Sequence, residues 1–240
     1  MKRYCFVLFL GALLLSACKE RTIESTSVLL PVKAVSCSEA SVAMNSLLAP
    51  YKSTLDEQMN VGVGVCATTM EVGRPESLLS NFVCDAMLRK ANELMPTDFA
   101  LTNVGGLRKP VSEGVVTLRT VYEVMPFDNR VVLLDLKGDD VLALCDAIAS
   151  VGGEGVSGIS FGISGGKAFD VRVGGKPVQR ERVYRVVTND YLSFGNDKMT
   201  PLANSLKVYD AGVQLRDLIL ESISETPVME SVLDGRIYEK

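Results

Sequence analysis

The chain has 240 residues, 47% hydrophobic and 22% charged, with 25 basic against 29 acidic side chains and no histidine. These proportions are those of a globular protein and exclude an intrinsically disordered chain. The acidic balance argues against a nucleic-acid polymer as partner, since neutralising a phosphate backbone takes an excess of lysine and arginine.

The N-terminus opens with Lys2 and Arg3, continues through an apolar run from Phe6 to Leu15 and reaches small residues before Cys18, the layout of a secretory signal. The run is shorter than the roughly 20 apolar residues a spanning helix needs. Leu15-Ser16-Ala17-Cys18 resembles the lipobox of bacterial lipoproteins, which implies that residues 1–17 are removed and that Cys18 is lipidated as the first mature residue. Ordinary cleavage nearby is the alternative. Two or more acyl chains anchor stably where one does not, so an exported protein lipid-anchored to the bacterial cell envelope is expected, on either membrane face. Loss of residues 1–17 removes two bases and no acid, moving the net charge from −4 to −6.

Residues 18–36 read as the lipidated cysteine and a polar tether, and residues 37–240 as one domain, since no repeat and no second linker interrupts them. Ser38 caps a helix expected to about Asp56, on which Val42, Leu47, Leu48 and Leu55 recur at roughly helical spacing. The glycine-dotted strand VGVGVCA follows. Ser77 to Met95 places Leu78, Phe82, Ala86 and Leu88 on one side and stops at Pro96, which predicts a helix.

Phe99 to Thr102 reads as a short strand running into Asn103-Val104-Gly105-Gly106-Leu107-Arg108, and Leu118 to Val124 as a short helix leading to Met125-Pro126-Phe127. Val131 to Lys137 is a buried strand, Gly138 a turn, and Asp139 or Asp140 the start of a helix to about Ala149. Ile159 to Val173 alternates with period two about Gly165-Gly166, which predicts a hairpin. Arg182 to Tyr191 reads as a strand, Val213 to Ile223 as a closing helix and Gly235 to Ile237 as a terminal strand. Strands and helices alternate without regular βαβ spacing, so the class is α+β rather than a doubly wound sheet.

Cys37, Cys66, Cys84 and Cys145 permit three pairings, and export makes a disulfide feasible. Without a C-x-x-C or a histidine they do not form a zinc site. Cys84 and Cys145 fall at apolar helical positions, which favours buried thiols.

Three local patterns mimic chemistry. Gly62 to Ala67 fits G-x-G-x-x-A, but no convincing helix follows to receive a pyrophosphate. Gly162-Ile163-Ser164-Gly165-Gly166 fits G-x-S-x-G, but it lies on the expected hairpin, and no histidine is available to take the serine proton. Asp139-Asp140 is explained by the favourable field of a helix N-terminus.

Four further stretches stand in a meaningful order: Glu76-Ser77 opening a helix that holds Asn81 and Asp85; Asn103 to Arg108; Pro126-Phe127-Asp128-Asn129; and Thr188 to Asp197, with Asp234-Gly235-Arg236-Ile237 closing the chain. Together they resemble the C-terminal, substrate-binding domain of the 5'-nucleotidase family over roughly residues 60 to 240. The resemblance implies mixed sheets with flanking helices in a layered α/β/β/α arrangement.

It also implies roles. Arg108 corresponds to the arginine that contacts substrate phosphate, and its rigid fork of donors suits phosphate oxygens. Phe127 and Tyr191 correspond to the rings that sandwich the nucleobase, Asn129 to a polar contact and Asp197 to the aspartate that accepts from substrate hydroxyls. Arg74 resembles a second family arginine at looser spacing. Two departures, Val104 for a glycine and Asn196-Asp197-Lys198-Met199 for G-D-G-Y, would narrow the pocket or alter which base fits. Singly, these residues also read as a surface cation, core aromatics and a turn aspartate.

In that family, hydrolysis belongs to a separate metallophosphatase domain built on histidines and aspartates, and a dinuclear centre generates the nucleophile. No catalytic residue, metal or cofactor is therefore expected in this chain; divalent metals would sit in a partner. The resemblance implies a nucleotide-recognising domain acting with a separately encoded metallophosphatase in nucleotide breakdown. The alternative is a membrane-tethered binding protein for nucleotides, nucleosides or nucleotide sugars, without hydrolysis.

Overall fold

The computed structural model describes residues 39–240, with side chains from residue 41. The expected signal (1–17), the expected lipidated Cys18 and tether, Cys37 and the expected cap Ser38 lie outside the described residues. Two compact units divide between Leu48 and Ala49. Of the first, the described part is the opening of helix α1 (Glu39–Met59), where Val42, Met44, Leu47 and Leu48 are exposed. The second unit contains every element that follows.

A five-stranded sheet forms its centre, in the order β10 (Lys207–Gln214), β4 (Arg130–Lys137), β9 (Val183–Asn189), β2 (Phe99–Thr102), β5 (Gly155–Ser157). All neighbours are antiparallel except β2 and β9, which run parallel. Strand β4 shows why the sheet is internal. Val131 and Leu133 enter one core, and Val132, Leu134 and Leu136 enter the other, because successive side chains point to opposite faces.

The first core is closed by helices α2 (Leu78–Leu94), α3 (Leu118–Val124) and α6 (Leu215–Glu225). A small sheet of β11 (Val228–Met229), β1 (Gly62–Cys66) and β3 (Gly114–Thr117) completes it. The second core is closed by α4 (Gly138–Ser150) and a sheet in the order β12 (Ile237–Glu239), β6 (Ile159–Ser164), β7 (Lys167–Val173), β8 (Lys176–Pro177). The α+β class and the mixed sheets with flanking helices that the resemblance implied are thus both present.

Local sequence accounts for several boundaries. Ser77 caps α2 by accepting from the Ser80 amide at 3.3 Å, the usual role of a serine there. Gly165 and Gly166 both have positive φ, as the tight turn joining β6 and β7 requires. Helix α4 carries Asp139 and Asp140 in its first turn. Gly62 to Ala67 lies in and just beyond β1 with no helix after it, and Ser164 ends β6. Cys66, Cys84 and Cys145 are free and buried, and burial pushes the Cys84 and Cys145 thiols far above their ordinary range.

Two expectations need correction. The strand expected from Arg182 to Tyr191 stops at Asn189, whose side chain accepts from the Leu192 amide at 2.8 Å and turns the chain into a short helix, α5 (Asp190–Ser193). The closing helix begins at Leu215 rather than Val213, because Gln214 still pairs with Arg130 in β10.

Candidate nucleotide-binding site

Strand β2 ends at Thr102, and after Asn103 a 3-10 turn, Val104–Gly106, delivers Leu107 to the first core and Arg108 to the surface. The Arg108 amide donates to Val124 O at 2.8 Å, and its guanidinium donates to Gly105 O at 3.0 Å. Across from this loop, the segment between α3 and β4 presents Phe127 and Asn129, and the end of β9 presents Tyr191 on α5. Asn103, Gly105, Arg108, Phe127, Asn129, Tyr191 and Asp197 line one open cavity of about 390 Å³.

The two rings at this cavity are exposed, Phe127 at 50% and Tyr191 at 42%. Large apolar surface left open beside polar groups is the character of a small-molecule site. Asp197 lies in the 3-10 turn Asn196–Lys198 with φ +52, followed by Lys198 at φ +68. Left-handed backbone costs a non-glycine residue about 1–2 kcal/mol, so both positions are held by their surroundings. Asp197 accepts from the Tyr191 hydroxyl on Oδ1 and from Asn103 Nδ2 on Oδ2, each at 2.9 Å. The bond to Asp197 pushes the Tyr191 phenol above its ordinary value, since a proton shared with a carboxylate is harder to lose.

Two of the lining loops are each fixed by a buried charged residue outside the ordered motifs. Glu154, 3% exposed, accepts from the Val104 amide and from Arg74. Burial raises its carboxyl above the usual range, while the Val104 and Arg74 bonds pull the other way. Gly153 beside it has φ +115, and a Cβ there would stand 2.4 Å from Pro75 O, so only glycine fits. Arg216, 6% exposed, donates to Met125 O at 3.0 Å, Phe127 O at 3.4 Å and Asp128 Oδ1 at 2.6 Å. Its guanidinium also lies over the Tyr122 ring, 4.1 Å from the centroid, an arrangement that adds cation–π attraction.

Five of the six residues expected at a ligand site, Arg108, Phe127, Asn129, Tyr191 and Asp197, thus surround one cavity. Arg74 does not line it. Its Nε donates to Gly153 O at 2.7 Å and its Nη2 to Glu154 at 2.5 Å, so it reaches the site only through Glu154. The Glu76 to Asp85 stretch has a different task. Asn81 donates to Val232 O at 2.8 Å, Glu76 accepts from the Asp234 and Gly235 amides, and Asp85 pairs with Arg236 at 2.7 Å, which locks the closing segment onto α2.

Among the described residues no group of three or more histidine, cysteine, aspartate or glutamate side chains is placed to hold a metal ion. A dinuclear phosphatase centre therefore does not fit the described residues. Among them, too, no helix is long and apolar enough to cross a membrane.

The model of the 5'-nucleotidase C-terminal domain matches residues 62–204, the span containing every residue of the cavity. The chain is 28% identical over 214 residues to the trifunctional nucleotide phosphoesterase protein YfkN of Bacillus subtilis, covering 80% of this chain and 15% of that protein. It is 26% identical over 202 residues to protein UshA of Escherichia coli, covering 82% and 36%. A crystal structure of a 5'-nucleotidase precursor from Thermus thermophilus superposes with a TM-score of 0.74 at 29% identity, covering 83% of this chain and 43% of that one. The chain spans less than half the length of each of these relatives. In fold, in ordered motifs and in matched span, the chain belongs to the 5'-nucleotidase C-terminal domain family.

Proposed function

We propose that this protein is the nucleotide-recognising part of a 5'-nucleotidase-type hydrolase, acting with a metallophosphatase whose metal ligands lie outside these 240 residues. The observation that carries this reading is the convergence of Arg108, Phe127, Tyr191 and Asp197 on one open cavity. Arg108 offers a cation with several donors to a phosphate, the two rings offer π-faces to a base, and Asp197 offers acceptors to sugar hydroxyls. Asn129 adds a polar group at the cavity wall, and Arg74 acts at one remove, by holding Glu154. These groups bind and orient; none of them generates a nucleophile from water. Export and lipid anchoring through Cys18, the third part of the reading, rest on the N-terminal pattern.

Calorimetric titration of the detergent-solubilised full chain with AMP and adenosine tests the reading. Arg108→Ala should weaken AMP about tenfold or more while leaving adenosine unchanged, because only AMP offers the phosphate. Tyr191→Ala should weaken both, by about 1–3 kcal/mol of lost stacking. Absence of AMP binding by the wild type would sink the proposal. AMP binding that never accelerates a metallophosphatase from the same cell would replace hydrolysis with plain capture at the membrane.

A further inference from the structure

The family resemblance gives Tyr191 a ring and Asp197 a carboxylate, but assigns nothing to the phenolic hydroxyl that joins them. That hydroxyl donates to Asp197 Oδ1 at 2.9 Å, and Asn103 Nδ2 donates to Oδ2 at the same distance. Asn189 Nδ2 in turn donates to Asn103 Oδ1 at 3.2 Å, and Asn189 Oδ1 takes the Leu192 amide that opens the helix carrying Tyr191. The circuit is closed: ring, carboxylate, the start of the glycine loop and the helix cap hold one another.

The hydroxyl is the dispensable member of this circuit as far as folding goes. Leu192 is fully buried, Asn189 already caps the helix, and Asn196 Nδ2 holds Tyr191 O at 2.7 Å. A bond at the water-facing rim adds little net stability, since water competes for both partners. It does fix a direction. A carboxylate has about four lone-pair sites, so two protein donors hold Asp197 in one orientation and leave capacity for ligand hydroxyls.

We infer that the Tyr191 hydroxyl is a positioning group for sugar recognition: it ties the carboxylate to the stacking ring, so that the site favours ribonucleotides over analogues lacking the vicinal 2′ and 3′ hydroxyls. This inference rests on the nucleotide reading above. Without the tether, Asp197 would have to be ordered by the ligand itself, at an entropic cost paid on each binding event.

The test is calorimetry with AMP and 2′,3′-dideoxy-AMP on the full-length wild type and on Tyr191→Phe, which keeps the ring. The wild type should prefer AMP. The variant should lose about five- to tenfold in affinity for AMP and nothing for the dideoxy analogue, with an unchanged melting temperature. Equal weakening of both ligands would mean that the hydroxyl only steadies the ring, and no weakening of either would mean that it does nothing; each overturns the inference. A wild type that binds both ligands equally overturns it as well. A wild type that binds AMP selectively while Tyr191→Phe matches it removes this inference and leaves the nucleotide reading standing, whereas a wild type that binds neither ligand removes both.

Discussion

The two loops that face each other across the cavity are fixed by opposite means. The loop from Asn103 to Arg108 turns an amide inward at Val104, and a buried carboxylate, Glu154, receives it. The loop from Met125 to Asn129 turns carbonyls inward at Met125 and Phe127, and a buried guanidinium, Arg216, donates to them. Irregular backbone near a core must still satisfy its polar groups, and the sign of the buried charge follows from whether the loop exposes donors or acceptors. The two anchors differ in one further respect. Glutamate can be neutralised by a proton, and burial raises this carboxyl above its ordinary value, whereas arginine keeps its charge.

The sharpest way to break this symmetry is Arg216→Ala. It orphans two carbonyls and removes the cation over Tyr122, and should cost about 2–3 kcal/mol, within the range for hydrogen bonds to charged groups and for orphaned buried partners. Asp128, 73% exposed in its side chain, rehydrates freely and adds little. Urea unfolding would show the lower midpoint, and AMP affinity should fall with it because Phe127 loses its support. Glu154→Gln should cost less, about 1 kcal/mol, since the amide oxygen still receives the Val104 N–H while the amide NH2 can only face Arg74 as a second donor. An Arg216→Ala variant as stable as the wild type would mean that this loop holds itself.

The smallest effect is the most diagnostic, a difference in pH response. Glu154 has its folded pKa raised, so the folded protein holds that proton more tightly than the unfolded chain does. Its contribution to stability is fully present below the ordinary glutamate value and is lost as pH rises through the folded one. Asp234 behaves in the opposite sense. Its hydrogen bonds with Arg236 hold its carboxyl below the usual range, so its contribution is present above the ordinary aspartate value and disappears as pH falls through the folded value. Unfolding free energies measured across the acid range should therefore show the wild type gaining relative to Glu154→Gln as pH falls, and losing relative to Asp234→Asn. A Glu154→Gln difference that is flat with pH would show that the carboxyl is not raised by burial.

Much of the fold was legible where one face of an element is apolar over a long enough stretch. Helix α2 and the β6–β7 hairpin have their own caps, periods and turn residues, and their boundaries follow from these. Strand β10 was missed. Its outward Val208 is exposed, Gly212 breaks the pattern with φ +75, and its register against β4 shifts before Gln214. An edge strand of this kind is stabilised by its partner rather than by its own alternation. Strands β3, β5 and β11 are two to four residues long, too short for any period to appear.

For the site, the ordered motifs marked Arg108, Phe127, Asn129, Tyr191 and Asp197, because those types announce their chemistry whatever lies behind them. They did not mark Glu154 or Arg216 and gave Asn103, inside one of them, no task of its own, because these tasks depend on what lies across from each residue. Arg74, expected at the site as a second family arginine, has its guanidinium turned to Glu154.

The sequence by itself therefore determined the α+β class, the family, the caps and turns of the longer elements and the inventory of groups that meet a ligand. These depend on the chemistry of single residues and on periods of a few positions along the chain. Only the tertiary structure decided which loops those groups stand on, which buried charge holds each loop and where Arg74 points. Such choices depend on contacts between residues far apart in the chain, 50 positions for Glu154 and Val104 and 91 for Arg216 and Met125, and no local pattern encodes a partner at that distance.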